Sequence, residues 1–89
     1  MKNDIGQRLR EERERLGLSQ VAMSDIGGVK KLTQLRYEKG DSFPDAAYLA
    51  ALSRFGLDVQ YVVLGIHSPE TYNDDEQELI TRFRAASLD

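Results

Sequence analysis

Few side chains in this sequence of 89 residues could do covalent or metal chemistry. The absence of cysteine excludes disulfides, zinc fingers and thiol nucleophiles. The single histidine, His67, stands beside Ser68 and Pro69 with no other metal-ligand residue near it in sequence, which favours a structural or solvent-exposed role. The acidic run at residues 74–78 lacks the spaced ligands and turn glycine of a calcium loop. With no catalytic triad either, we expect no enzymatic activity, metal, cofactor or small-molecule ligand.

Charge is the other chemistry that the side chains offer. The net charge is −3, and the acidic excess lies in the second half. Residues 1–45 carry nine Lys or Arg against eight Asp or Glu, whereas residues 46–89 carry three against seven. Lys30, Lys31 and Arg36 fall within one short segment of the first half. They are either solvated surface charges or one basic face, through which even an acidic protein can bind DNA.

Helices must position these side chains, because helix-forming residues are plentiful and no stretch alternates apolar with polar residues over strand length. Ser19, Asp45 and Asp58 stand where helix N-caps are needed. We expect the apolar fourth helix, which ends at Phe55, to run through the centre of the core. The predicted helices span residues 4–15, 20–26, 30–39, 46–55, 59–64 and 73–87.

A glycine pair separates the second and third predicted helices. Gly27 and Gly28 predict a sharp change of direction, because glycine tolerates a left-handed backbone. Two short helices joined in this way form either an ordinary hairpin or a DNA-binding unit. In such a unit the first helix braces against the DNA backbone and the second lies in the major groove. Met23 and Val29 supply apolar contacts, and Ser24 is small where the two helices approach.

Four motifs follow one another in a characteristic order: LGLSQ at residues 16–20, GV at 28–29, YEKG at 37–40 followed by Pro44, and GLDVQYVVLG at 56–65. Together they resemble the Cro and lambda-repressor-like, or XRE-type, helix-turn-helix family, and within it the phage-type repressors and prophage regulators. The resemblance covers about residues 5–65. It implies an all-α, lambda-repressor-like five-helix DNA-binding domain over residues 1–66. A connector and an additional C-terminal helix would follow over residues 67–89.

The resemblance also implies which side chains meet DNA. It assigns Gln20 a hydrogen bond to a phosphate or to a side chain that reads a base. Lys and Arg can donate to guanine O6 and N7, while Leu32 offers an apolar surface to a thymine methyl group. The segment from Lys39 to Ser42 would meet backbone phosphates and fix the register. The implied DNA-binding residues are Gln20, Lys30, Lys31, Leu32, Thr33, Arg36 and Lys39.

Two further positions, Arg13 and Glu38, match those that form a partly buried ion pair in this family. The pair would tie the first helix to the end of the third, and we interpret it as structural. The neighbouring Arg8, Arg10 and Arg15 alternate with glutamates and predict a salt-bridged helix face.

The sequence departs from the family pattern inside the motif. Gln34 stands where the family has an inward Ile or Val, and Ser24 where it usually has Ala. An inward amide needs hydrogen-bond partners. Either the backbone satisfies Gln34, or the third helix is rotated so that Leu35 turns inward.

The resemblance implies a regulator, in particular a repressor, that acts on double-stranded DNA. A motif of this size buries too little surface to hold DNA tightly alone. We therefore expect a homodimer on a pseudo-palindromic site, with half-sites about one helical turn apart. Leu79, Ile80 and Phe83 of the last predicted helix either pack on the same domain or join two copies.

The acidic total and Gln34 favour one alternative, a protein-interaction module with the same fold that does not bind DNA. The sequence also bears on location. It contains no apolar run near the roughly 20 residues needed to cross a bilayer, and its N-terminus has no signal-peptide core. We expect a cytoplasmic protein with no membrane partner.

Overall fold

The computed structural model describes residues 4–69. Over this range the chain is all-helical and has no strand, which confirms the predicted all-α class for this part. The predicted C-terminal helix, with its proposed roles in packing or dimerisation, lies outside the described residues. The helices are α1 (Asp4–Arg15), α2 (Gln20–Gly27), α3 (Lys31–Lys39), α4 (Ala46–Phe55) and α5 (Val59–Leu64).

Side-chain caps begin three of the five helices. Ser19, Asp45 and Asp58 each accept a hydrogen bond from the backbone amide three residues further on, at 3.0, 2.8 and 3.0 Å. The first amides of a helix have no partner within it, so each cap stabilises its helix by about 1 kcal/mol. α3 starts one residue later than predicted. Lys30 is its N-cap in extended conformation and makes no capping hydrogen bond.

The two glycines between α2 and α3 have different reasons to be there. Gly28 is left-handed, with φ of 74°, and turns the chain as predicted. Gly27 does not share this conformation and is the last residue of α2. A Cβ at Gly27 would lie 2.5 Å from Cε2 of Tyr48. Its small size therefore lets α2 approach α4, and the prediction of a left-handed pair was wrong for Gly27.

Every helix contributes to one apolar core. Tyr37 and Tyr48 meet edge to face at its centre, with ring centroids 5.0 Å apart. Phe55 is 50% exposed because it is the last residue of α4, where the chain turns away at Gly56. The buried apolar residues are Leu9, Met23, Tyr37, Tyr48, Leu52, Leu57 and Val62.

Close packing against α1 fixes the position of α3. α1 packs on α3 and α5, while α2 packs on α3 and α4. Gly6 of α1 lies directly against the last turn of α3, where an added Cβ would be 2.7 Å from the carbonyl oxygen of Glu38. α3 is thus held from two sides. None of the helices in residues 4–69 is both long enough and apolar enough to cross a membrane.

Candidate nucleic-acid interface

One face of α3 is open to solvent and the other belongs to the core. Gln34 and Tyr37 point inward and are buried. Leu32 on the outer face is 58% exposed, and Thr33 is half-buried. The exposed side chains among the predicted DNA-binding residues are those of Lys30, Lys31, Leu32, Arg36 and Lys39.

The four cations of this face are not engaged by the rest of the domain. Among residues 4–69, no ion pair or side-chain hydrogen bond involves Lys30, Lys31, Arg36 or Lys39. A cation without an internal partner has its N–H donors available for an external anion. We call these four residues the α3 cations.

The arginines of α1 behave differently. Arg10 pairs with Glu14 at 3.0 Å, and Arg15 pairs with Glu12 at 2.7 Å, as expected for a salt-bridged face. Arg8 departs from that expectation, because its guanidinium donates to the carbonyl oxygens of Val62 and Val63 at 2.9 and 3.3 Å. These carbonyls lie in the last turn of α5, where a helix leaves its acceptors unpaired and where positive charge is favourable. Arg8 therefore links α1 to α5, whereas the pair of Arg10 with Glu14 lies within α1.

The ion pair between Arg13 and Glu38 is present and bidentate. Arg13 Nε and Nη2 donate to the two carboxylate oxygens of Glu38 at 3.0 and 3.2 Å. The side chains are only 14% and 5% exposed. Arg13 also donates to the carbonyl oxygen of Leu18 at 3.1 Å. One guanidinium thus joins α1, the segment before α2 and the last turn of α3.

Gln34 is fully buried and is satisfied by side chains rather than by the backbone. Its Nε2 donates to Glu38 at 2.8 Å, and its Oε1 accepts from the hydroxyl of Tyr48 at 2.5 Å. Burial raises the pKa of Tyr48, which keeps that hydroxyl a donor. Leu35 is half-buried, so α3 presents Gln34 to the core without the rotation considered above. Both proposed accounts of Gln34 were wrong, because the partners lie on α3 itself and on α4.

Gln20, the first residue of α2, is half-buried beside the same carboxylate. Its Nε2 lies 3.5 Å from Oε1 of Glu38. In residues 4–69 its side chain therefore contacts a structural carboxylate and not an α3 cation, and its bond to a base-reading side chain stays a prediction. A contact of Gln20 with phosphate stays a prediction.

Sequence reasoning missed the structural role of Glu12. This residue is 4% exposed and accepts two hydrogen bonds from Arg15 and one, at 2.8 Å, from the backbone amide of Asp58. The bonds from Arg15 lower the pKa of the Glu12 carboxyl, against the opposing effect of burial. A signal was available, since Glu12 is three residues after Leu9 and four before Leu16, on the apolar face of α1.

The described residues also show where the single histidine lies. His67 is exposed and stacks on the ring of Tyr61 at 4.1 Å between centroids. Within residues 4–69, no group of three or more His, Cys, Asp or Glu residues is arranged to hold a metal ion. Comparison with known proteins adds no assignment, because no family model, curated protein or solved structure matches the chain.

Proposed function

We propose that this chain is a sequence-specific DNA-binding regulator with a lambda-repressor-like fold, whose α3 lies in the major groove of double-stranded DNA. One observation carries the proposal. The α3 cations are exposed and have no ion pair within residues 4–69, while the opposite face of the same helix is fixed by a buried polar network.

The dimensions of α3 suit a major groove. An α-helix with its side chains is about 10–12 Å across, and the groove is about 12 Å wide. The nine residues of α3 extend over about 13 Å. Its first turn carries Lys31 and Leu32, and its exposed face continues to Arg36. Lys and Arg donors recognise guanine, while an exposed Leu can contact a thymine methyl group.

Recognition of bases also requires that the helix keep a fixed position. A shift of α3 would move every donor relative to the base edges. Three features prevent such a shift: the close contact at Gly6, the bidentate Arg13–Glu38 pair and the hydrogen bonds of Gln34. Glu38 takes part in all three features. The buried face of α3 therefore fixes the position of its exposed face.

A homodimer on the DNA forms part of the proposal. A single small module buries about 600–1,000 Å² of its surface on DNA, towards the low end for specific binding. Two copies would place their α3 helices in successive major grooves, about 34–36 Å apart. Such a complex would act as a repressor or regulator by occupying its site, without any catalytic step.

Fluorescence anisotropy with a labelled random-sequence duplex tests the first part. We expect salt-sensitive binding that weakens in Arg36→Ala and retains its strength in the matched control Arg54→Ala. Arg54 is also exposed, lies on α4 and has no ion pair within residues 4–69. On a random-sequence duplex Arg36 would contact a phosphate instead of its specific base, so its loss should reduce the slope of log K against log salt by about 0.9. Equal effects of the two variants would refute the assignment to α3.

Selection of bound sequences from a random duplex pool tests base recognition. The wild-type protein should select a pseudo-palindrome, and Lys31→Ala or Arg36→Ala should relax it at particular positions. A bidentate contact to one base contributes about 1–3 kcal/mol of discrimination. Absence of salt-sensitive binding below about 10 μM at low salt, where non-specific contacts alone should be detectable, would favour the protein-interaction alternative.

A further inference from the structure

An apolar groove follows one side of α4. Three of its lining residues, Ala46, Ala50 and Ser53, are small and exposed, and Leu49 and Val59 are half-buried. The groove has a volume of about 340 Å³. Small side chains spaced three and four apart on a helix allow another helix to approach closely. None of the α3 cations lines this surface.

We propose that residues 76–87 of the same chain dock in this groove as an amphipathic helix. Their sequence places Leu79, Ile80 and Phe83 within one turn, the spacing of an apolar helix face. Twelve residues in helical form extend over about 18 Å, close to the roughly 15 Å of the ten-residue α4. The segment and the groove therefore match in length and in apolar character.

The position at which the described chain ends supports this occupant. The backbone amide of Ser68 donates to Oδ2 of Asp58 at 3.0 Å. Asp58 directly precedes Val59, which lines the groove. The chain is thus held beside the groove at Ser68, upstream of the connector that leads to the segment. The seven residues 69–75 can extend over about 23 Å, more than the length of α4, so the connection does not restrict docking.

Charge complementarity sets the direction of the docked segment. The connection allows either direction, and an antiparallel course relative to α4 pairs opposite charges at both ends. Its acidic start, with Glu76, would then lie near Arg54. Its basic end, with Arg82 and Arg84, would lie near Asp45, the N-cap of α4. The opposite direction would bring like charges together at both ends.

A single tryptophan can report this docking, because the 89 residues contain none. In the chain of 89 residues, Phe83→Trp should give blue-shifted emission and protection from acrylamide quenching, relative to a free tryptophan amide. Adding Ala50→Arg should shift the emission back to that of an exposed indole. The matched control is Ala47→Arg, an exposed position on α4 that does not line the groove, and it should leave the blue shift intact.

Circular dichroism checks that Ala50→Arg keeps its helix content, and Ser53→Arg provides a second groove variant with the same expected shift. The blue shift should not change with protein concentration, and light scattering should show that a monomer retains it. A blue shift that grows with concentration together with a dimer would mean that a second copy occupies the groove, which overturns the proposal. An emission wavelength typical of an exposed indole in Phe83→Trp alone would also overturn the proposal. So would a blue shift that neither groove variant changes.

Discussion

We expect Arg13→Ala to destabilise the fold strongly, because it removes the counter-charge of a buried carboxylate. The Glu38 side chain is 5% exposed and, within residues 4–69, would keep only the amide donors of Gln34 and Gln20. Breaking one partner of a buried pair costs about 3–5 kcal/mol, whereas the whole unfolding free energy of a domain is about 5–15 kcal/mol. Urea denaturation followed by circular dichroism should therefore show an unfolding free energy lower by about 3–5 kcal/mol.

α1 offers a matched control in Arg10. Its Nε lies 3.0 Å from Glu14, as Arg13 Nε does from Glu38, yet the side chains are 63% and 57% exposed. Solvent screens such a pair, so Arg10→Ala should change the unfolding free energy by less than about 0.5 kcal/mol. Replacing Arg13 and Glu38 together with Met and Leu should recover part of the Arg13→Ala loss, because no buried charge remains but Nε2 of Gln34 loses its carboxylate acceptor. Similar losses in Arg13→Ala and Arg10→Ala, or no recovery in the double variant, would refute the reasoning.

Two further predictions concern other buried polar groups. Tyr48→Phe removes the donor to Oε1 of Gln34 and should lower stability by about 1–3 kcal/mol; an unchanged melting temperature would contradict it. Because hydrogen bonds from Arg15 lower the pKa of Glu12 in the folded state, its carboxylate stabilises the fold above the unfolded pKa of about 4.3. The stability difference between wild type and Glu12→Gln should therefore shrink as pH falls below about 4 in urea titrations, and a constant difference would argue against it.

Local signals were enough to predict most helix bounds. The predicted spans 4–15, 46–55 and 59–64 agree with α1, α4 and α5. A cap such as Asp45 accepts a hydrogen bond from an amide only three residues away, so neighbouring residues in the sequence are enough to predict it. The start of α3 was harder to predict, because Lys30 adopts the N-cap conformation without a capping side chain.

The partners of Gln34 show which contacts local sequence patterns can predict and which they cannot. Its bond to Glu38 spans one helical turn, a spacing that the sequence displays directly. Its bond to Tyr48 crosses from α3 to α4, and it depends on how closely these helices approach. Gly27 contributes to that approach by leaving room for the tyrosine ring. The sequence could therefore show that an inward amide needs partners, but only the packing of three helices determines which they are.

The net charge of −3 would oppose binding to DNA only if every charged side chain were equally available to interact with it. Arg10, Arg13 and Arg15 of α1 pair with glutamates, whereas the α3 cations make no ion pair with any residue of the described range 4–69. Charges further apart than about 8 Å are largely screened at physiological salt, so the distribution around α3 matters more than the total. On a random-sequence duplex, where the four α3 cations would contact phosphates instead of bases, each subunit would give a salt slope of about −3.6, without long-range attraction to speed association. The affinity would then come from short-range contacts in the complex. A slope of log K against log salt near zero would mean that phosphates do not contact the α3 cations.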